Sequence, residues 1–139
     1  MEKILLLCND RHFSDPIARY FMRQGHDVLT IHDAEGIEDT LAAYVPDVII
    51  LDALLQKKNG FELCASLKTH PRYKRIPIIM TSAIYISERD RETGLQFDDV
   101  TYPIVADRCV MKPVEPDELA RHVASVLRHQ PEPTRPPTI

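Results

Sequence analysis

The amino-acid sequence predicts one doubly wound α/β domain, a five-stranded parallel sheet with helices on both faces. Five short apolar runs, Ile4–Leu7, Val28–Ile31, Val48–Leu51, Ile78–Met80 and Cys109–Met111, alternate with segments of helical periodicity. The runs are continuously apolar, as in Val48-Ile49-Ile50-Leu51, which suits parallel strands covered from both sides rather than strands with one wet face. A chain of 139 residues, 44% of them hydrophobic, can fill one core of this kind.

The elements follow in order. Ile4–Leu7 comes after only Met1, Glu2 and Lys3, so this run is too short for a signal segment and reads as the first buried strand. Ser14 is placed to cap a helix running to about Gln24, with Pro16 in the first turn and Gly25 at the end. A short helix fits Ile37–Tyr44. Asn59 and Glu62 have capping-box spacing and open a helix through Phe61, Leu63, Cys64 and Leu67, stopped at His70-Pro71. Ser87 caps a fourth helix, and Pro116 opens a fifth whose Leu119, Val123, Val126 and Leu127 form one apolar stripe. Five βα units with short connections imply right-handed crossovers and an open parallel sheet. The predicted domain covers residues 1–129. Residues 130–139, QPEPTRPPTI, hold four prolines in ten and read as a linker or tail.

Composition narrows the function. A net charge of −4 gives no basic excess to follow a phosphate backbone, so direct nucleic-acid binding is not expected. Cys8, Cys64 and Cys109 are too few and scattered for a disulfide framework, and neither they nor the six histidines have metal-ligand spacing, which fits a reducing cytoplasm. His12 reads as an exposed loop residue. Lys57, Lys58, Lys68, Arg72, Lys74 and Arg75 read as solvated surface. No apolar run is long enough to span a bilayer. A flavin or nucleotide enzyme of this topology would need a glycine- or hydroxyl-rich cradle after the first strand, and Cys8-Asn9-Asp10-Arg11-His12-Phe13 has none.

In an open parallel sheet, ligands bind beyond the carboxyl ends of the strands. Those ends carry Cys8, Asn9 and Asp10, then Asp52, then Thr81 and Ser82, then Lys112-Pro113. A carboxylate just past a buried strand, near an ammonium and a hydroxyl, has the parts of a phosphoaspartate site. The carboxylate attacks phosphorus, the cation offsets charge on the transferring oxygens, and the hydroxyl donates to one of them.

The stretch PDVIILDALLQKKNGFELC is similar to the phosphoacceptor segment of response-regulator receiver domains, IPIIMTSA resembles their fourth strand and VMKP their fifth. The resemblance runs from about Lys3 to Leu127 and implies the flavodoxin-like receiver fold with strand order 2-1-3-4-5. It makes Asp52 the phosphoacceptor and puts Ser82 and Lys112 in contact with the phosphate. It further implies Mg²⁺ as cofactor, and a histidine kinase or phosphotransfer protein as donor. Output would pass through an effector protein, a homodimer or a further domain.

The sequence departs from the family pattern in three places. Receivers carry two acidic residues after the first strand, which hold Mg²⁺ with the acceptor and the backbone carbonyl two residues beyond it, here Leu54. In register that pair is Cys8 and Asn9, with Asp10 one position later. The implied metal set is then Asn9, Asp10, Asp52 and the Leu54 carbonyl, a site weakened about tenfold or more by the lost charge unless Asp10 turns inward. The switch position, usually Tyr or Phe, is Cys109. The segment between Ala83 and Lys112 is several residues longer than the family norm, so the face around the fourth helix should look different. Cys8, Asn9 and Cys109 favour a second reading, a pseudo-receiver that binds proteins without phosphoryl chemistry; Asp52, Ser82 and Lys112 oppose it.

Overall fold

The computed structural model describes residues 1–55, 59–97 and 99–128. Its elements are β1 (Lys3–Leu7), α1 (Arg11–Arg23), β2 (Asp27–Ile31), α2 (Ile37–Tyr44), β3 (Val48–Asp52), α3 (Gly60–Thr69), β4 (Ile78–Ser82), α4 (Glu88–Thr93), β5 (Leu95–Phe97), β6 (Val100–Tyr102), β7 (Arg108–Met111) and α5 (Pro116–Arg128). The main sheet has the order β2-β1-β3-β4-β7, with every pair parallel. This is the expected five-strand order, because β7 is the predicted fifth strand and the two additional strands lie outside the sheet. The expected tail at residues 130–139 lies outside the described residues.

Side chains along each strand alternate between the two faces. Leu5, Leu7, Ile49, Leu51, Ile78 and Met80 join one core with α2 and α3 residues. Ile4, Leu6, Val48, Ile50, Ile79 and Val110 join the other, with Ile17, Ala18 and Phe21 of α1 and Leu119, Val123 and Val126 of α5. Burial of each such side chain stabilises the fold by about 1.5–3 kcal/mol relative to exposure, so β1, β3 and β4 are fixed from both sides. Their carboxyl ends are thereby held rigid.

Three local expectations need correction. The cap of α1 is Asp10, whose carboxylate accepts from the His12 amide at 3.0 Å. Ser14, expected to cap, lies inside α1 and is fully buried. Asn59 does cap α3, through the Phe61 amide at 2.8 Å, but the contact is one-sided and not a reciprocal box. The box occurs at α4, where Ser87 and Asp90 satisfy each other's amides at 2.9 and 3.1 Å. Lys68, read as solvated, instead pairs with Asp107 at 2.6 Å and donates to the Ile76 carbonyl at 3.1 Å, tying α3 to the entrance of β7. Lys57 and Lys58 lie outside the described residues.

The long segment before β7 contains α4, which buries no residue, and an antiparallel β5–β6 hairpin. The hairpin is anchored by Leu95 in the core and by Tyr102, whose ring stacks on Phe61 of α3 at 6.1 Å. Arg91 of α4 donates to the Cys109 sulfur at 3.0 Å and to the Ala106 carbonyl at 3.3 Å. The long segment around the fourth helix thus takes the form of this hairpin, with Arg91 tying α4 back to the strand β7 and its entrance.

Candidate functional site

Asp52 is the last residue of β3, and its backbone is fixed between β1 and β4. Continuing the alternation puts its side chain on the α1/α5 face, where only 8% of it is exposed. An ionised carboxylate at such a depth requires compensation. The Lys112 ammonium supplies it from just beyond β7, 2.8 Å from Oδ2. Lys112 also lies 4.3 Å from the centre of the Phe13 ring, a cation–π contact that fixes the ammonium above α1. The Lys112–Pro113 peptide bond is cis.

The same Oδ2 receives a second donor, the Cys8 thiol at 3.3 Å. Cys8 is 1% exposed, and its sulfur also accepts from the Asp10 amide at 3.4 Å. Burial raises the thiol to about pH 11, opposed by the Asp10 backbone contact and assisted by the charge on Asp52. It is therefore a protonated donor at neutral pH and not a reactive thiolate. Oδ1 is less engaged, with the Leu54 amide at 3.5 Å.

Gly60 closes the loop beyond β3. Its amide donates to the Ala53 carbonyl at 2.8 Å, and Leu54 and Asn59 form an antiparallel bridge. A Cβ at Gly60 would meet the Asp52 carbonyl oxygen and lie 2.7 Å from that of Ala53. Only glycine permits so close a return of the chain to the end of β3.

The remaining expected site residues are less closely gathered. The Ser82 hydroxyl donates to the Ile84 carbonyl at 2.8 Å and accepts from the Ile84 amide at 2.9 Å, a turn within its own loop. Asn9 is exposed beside the site, and Asp10 has one oxygen on the α1 cap. Cys109 is half-buried and holds Arg91. Sequence reasoning missed the hydrogen bond from Cys8 and the ring of Phe13, and it placed Thr81 at the strand end without a role; the buried Thr81 Oγ1 has no partner among the described residues. An unpaired buried hydroxyl costs about 1–3 kcal/mol. Thr81 directly precedes Ser82, and only the strand register distinguishes their surroundings.

The protonated thiols carry a stability prediction. Cys8, and Cys64, which burial pushes up to about 12, start from 9.0 in the open chain. Both folded values are raised, so their contribution is complete below pH 9 and is lost as pH rises through about 11 and 12. Denaturant midpoints should fall over this range, and less steeply in Cys8→Ser. Equal slopes in the two proteins would contradict the buried, protonated thiol.

A doubly wound sheet with an acidic residue ending its third strand, clamped by a lysine from its last, defines a receiver-type domain. Residues 4–124 match the family model for the response regulator receiver domain. The chain belongs to that family, whose members take part in two-component signalling. It is 33% identical to the transcriptional regulatory protein CpxR of Escherichia coli over 92% of its length and 50% of the relative's. With the transcriptional regulatory protein GltR of Pseudomonas aeruginosa it shares 30% identity, over 90% of this chain and 48% of that one. The chain thus spans about half the length of these relatives. Among solved structures, the chemotaxis response regulator CheY4 of Vibrio cholerae superposes with a TM-score of 0.74 at 22% identity, over 91% of this chain and 98% of that one. The signal receiver domain of a histidine kinase from Syntrophus aciditrophicus gives 0.75 at 24%, over 100% and 97%. These two likenesses concern the fold. Among the described residues no helix is long and apolar enough to cross a membrane.

Receivers in general bind Mg²⁺ beside the acceptor. Here the donor chemistry fits a hard cation only weakly: a carboxylate from Asp52, the carbonyl of Leu54 and the amide of Asn9, with a protonated thiol where an anion would stand. Among the described residues no three His, Cys, Asp or Glu side chains gather to hold a metal.

Proposed function

We propose that this domain accepts a phosphoryl group on Asp52 from a histidine kinase or phosphotransfer partner and signals by a shift in conformational equilibrium. The observation that carries the reading is the buried Asp52–Lys112 pair at 2.8 Å. Oδ1, the less engaged oxygen, attacks phosphorus. The new O–P bond forms as the donor's N–P bond breaks, and the bonding pair leaves with the ring nitrogen, which takes up a proton. Lys112 then moves from Oδ2 to the phosphoryl oxygens, and Ser82 leaves its turn at Ile84 to donate to another. Mg²⁺, when bound by Asp52, the Leu54 carbonyl and Asn9, would offset phosphoryl charge; Asp10 joins only on leaving its cap. Cys109 occupies the switch position, with Arg91 as its ligand in place of a rotating ring. Residues 1–129 form the signalling unit, located in the cytoplasm, with 130–139 as a linker. Output goes to an effector protein or a second copy.

Incubation with Mg²⁺ and acetyl phosphate should add the mass of one phosphoryl group to the intact protein, and Asp52→Ala should add none. The hydrogen bond from Cys8, standing where an acidic ligand is expected, favours the second reading, a pseudo-receiver that binds proteins without phosphorylation. No mass gain at high Mg²⁺ would select it.

A further inference from the structure

Thr81 is the Cα partner of Asp52 in the β3–β4 register and is 1% exposed. Strand alternation puts it with Ile79 on the α1/α5 face, the face of Asp52 and Val110. Adjacent strands lie about 4.8 Å apart, within the combined reach of a threonine hydroxyl and an aspartate carboxylate. A change of χ1 rotamer at Thr81 is then enough to bring Oγ1 to Asp52. In the resting state that hydroxyl has no partner among the described residues, while Oδ2 of Asp52 is occupied by Lys112 and Cys8. Ser82, one residue on, has its hydroxyl committed to Ile84 on both the donor and acceptor sides.

We propose that Thr81 is a positioning residue for the acceptor: its buried hydroxyl turns to donate to the Asp52 oxygen that Lys112 gives up on phosphoryl transfer. The inference rests on the receiver reading of Asp52. It explains why a donor is kept unpaired in a packed strand. Oδ2 is filled while Lys112 and Cys8 both donate to it and has room for another donor when the lysine moves. Because Thr81 contacts the acceptor residue and not the phosphoryl group, it steadies the attacking side chain and leaves the transferring oxygens to Lys112 and Ser82.

The test compares wild type, Thr81→Val and Thr81→Ser for the rate of mass gain with acetyl phosphate, alongside thermal melts. Thr81→Val keeps the side-chain shape and removes the hydroxyl. It should slow phosphorylation about tenfold, as expected for one lost hydrogen bond, with a Tm no lower than wild type. Thr81→Ser should return to within about twofold of the wild-type rate. Should Thr81→Val not fold, Thr81→Ala replaces it with the same expectation. Wild-type labelling with Thr81→Val equally fast would overturn the role of Thr81 alone, and so would Thr81→Ser as slow as Thr81→Val, since packing by the methyl group would then be responsible. Absence of labelling in wild type would remove the receiver reading and this inference with it.

Discussion

Gly60→Ala is expected to destabilise the domain towards the upper end of the ~1–3 kcal/mol range for overpacked sites, lowering Tm by roughly 10 °C. Helix propensity alone predicts the opposite sign, since Ala is favoured over Gly inside a helix by about 1 kcal/mol. Geometry decides against it. The added Cβ would meet backbone, the carbonyl oxygens of Asp52 and Ala53, and not the movable end of a side chain. Relief requires the start of α3 and the end of β3 to separate, which breaks the Gly60–Ala53 hydrogen bond. The displaced residues are Asp52, the proposed acceptor, and its neighbour, so phosphorylation should fall together with stability. Thermal melts and acetyl phosphate labelling check both; a Tm equal to or above wild type would show that the loop opens at little cost.

Cys8→Asp combined with Asn9→Asp should tighten Mg²⁺ binding by more than tenfold. One unit charge near another at about 4 Å interacts by about 4 kcal/mol at an effective dielectric of ~20, and tenfold in affinity needs about 1.4 kcal/mol. Only part of each added charge needs to survive desolvation. Without Mg²⁺ the effect reverses: new carboxylates beside the buried Asp52 repel it, and replacing Cys8 removes its hydrogen bond to Oδ2. The variant should therefore melt lower than wild type in chelator and gain far more from added Mg²⁺. Calorimetric titration and melts in Mg²⁺ measure the two effects. Unchanged affinity would place both residues outside the ligand shell.

The central strands β1, β3 and β4 were legible because they are buried on both faces, which leaves continuous apolar runs such as Val48-Ile49-Ile50-Leu51. Asp52 and Lys112 were legible because each directly follows an apolar run, Val48–Leu51 for one and Cys109–Met111 for the other. The cap of α1 was not, because Asp10 and Ser14 are both competent caps and only packing buries one of them. The β5–β6 hairpin escaped because its three-residue strands are too short to show a period, and its stability comes from Tyr102 on Phe61, a contact far apart in sequence. The Cys8–Asp52 hydrogen bond, the Phe13–Lys112 contact and the turn at Ser82 depend on side-chain rotamers. Residue identity and spacing do not encode these. The neighbours of Cys8 make it a hydrogen-bond donor.

The most direct test is to locate the label. The domain is treated with Mg²⁺ and acetyl phosphate, the acyl phosphate is reduced with borohydride, and the digested peptides are sequenced by mass spectrometry. Phosphoryl acceptance at the Lys112-clamped carboxylate predicts that the residue at position 52, and no other, is converted to its alcohol. Modification at Asp10 or another carboxylate, or none in a folded sample, would contradict it.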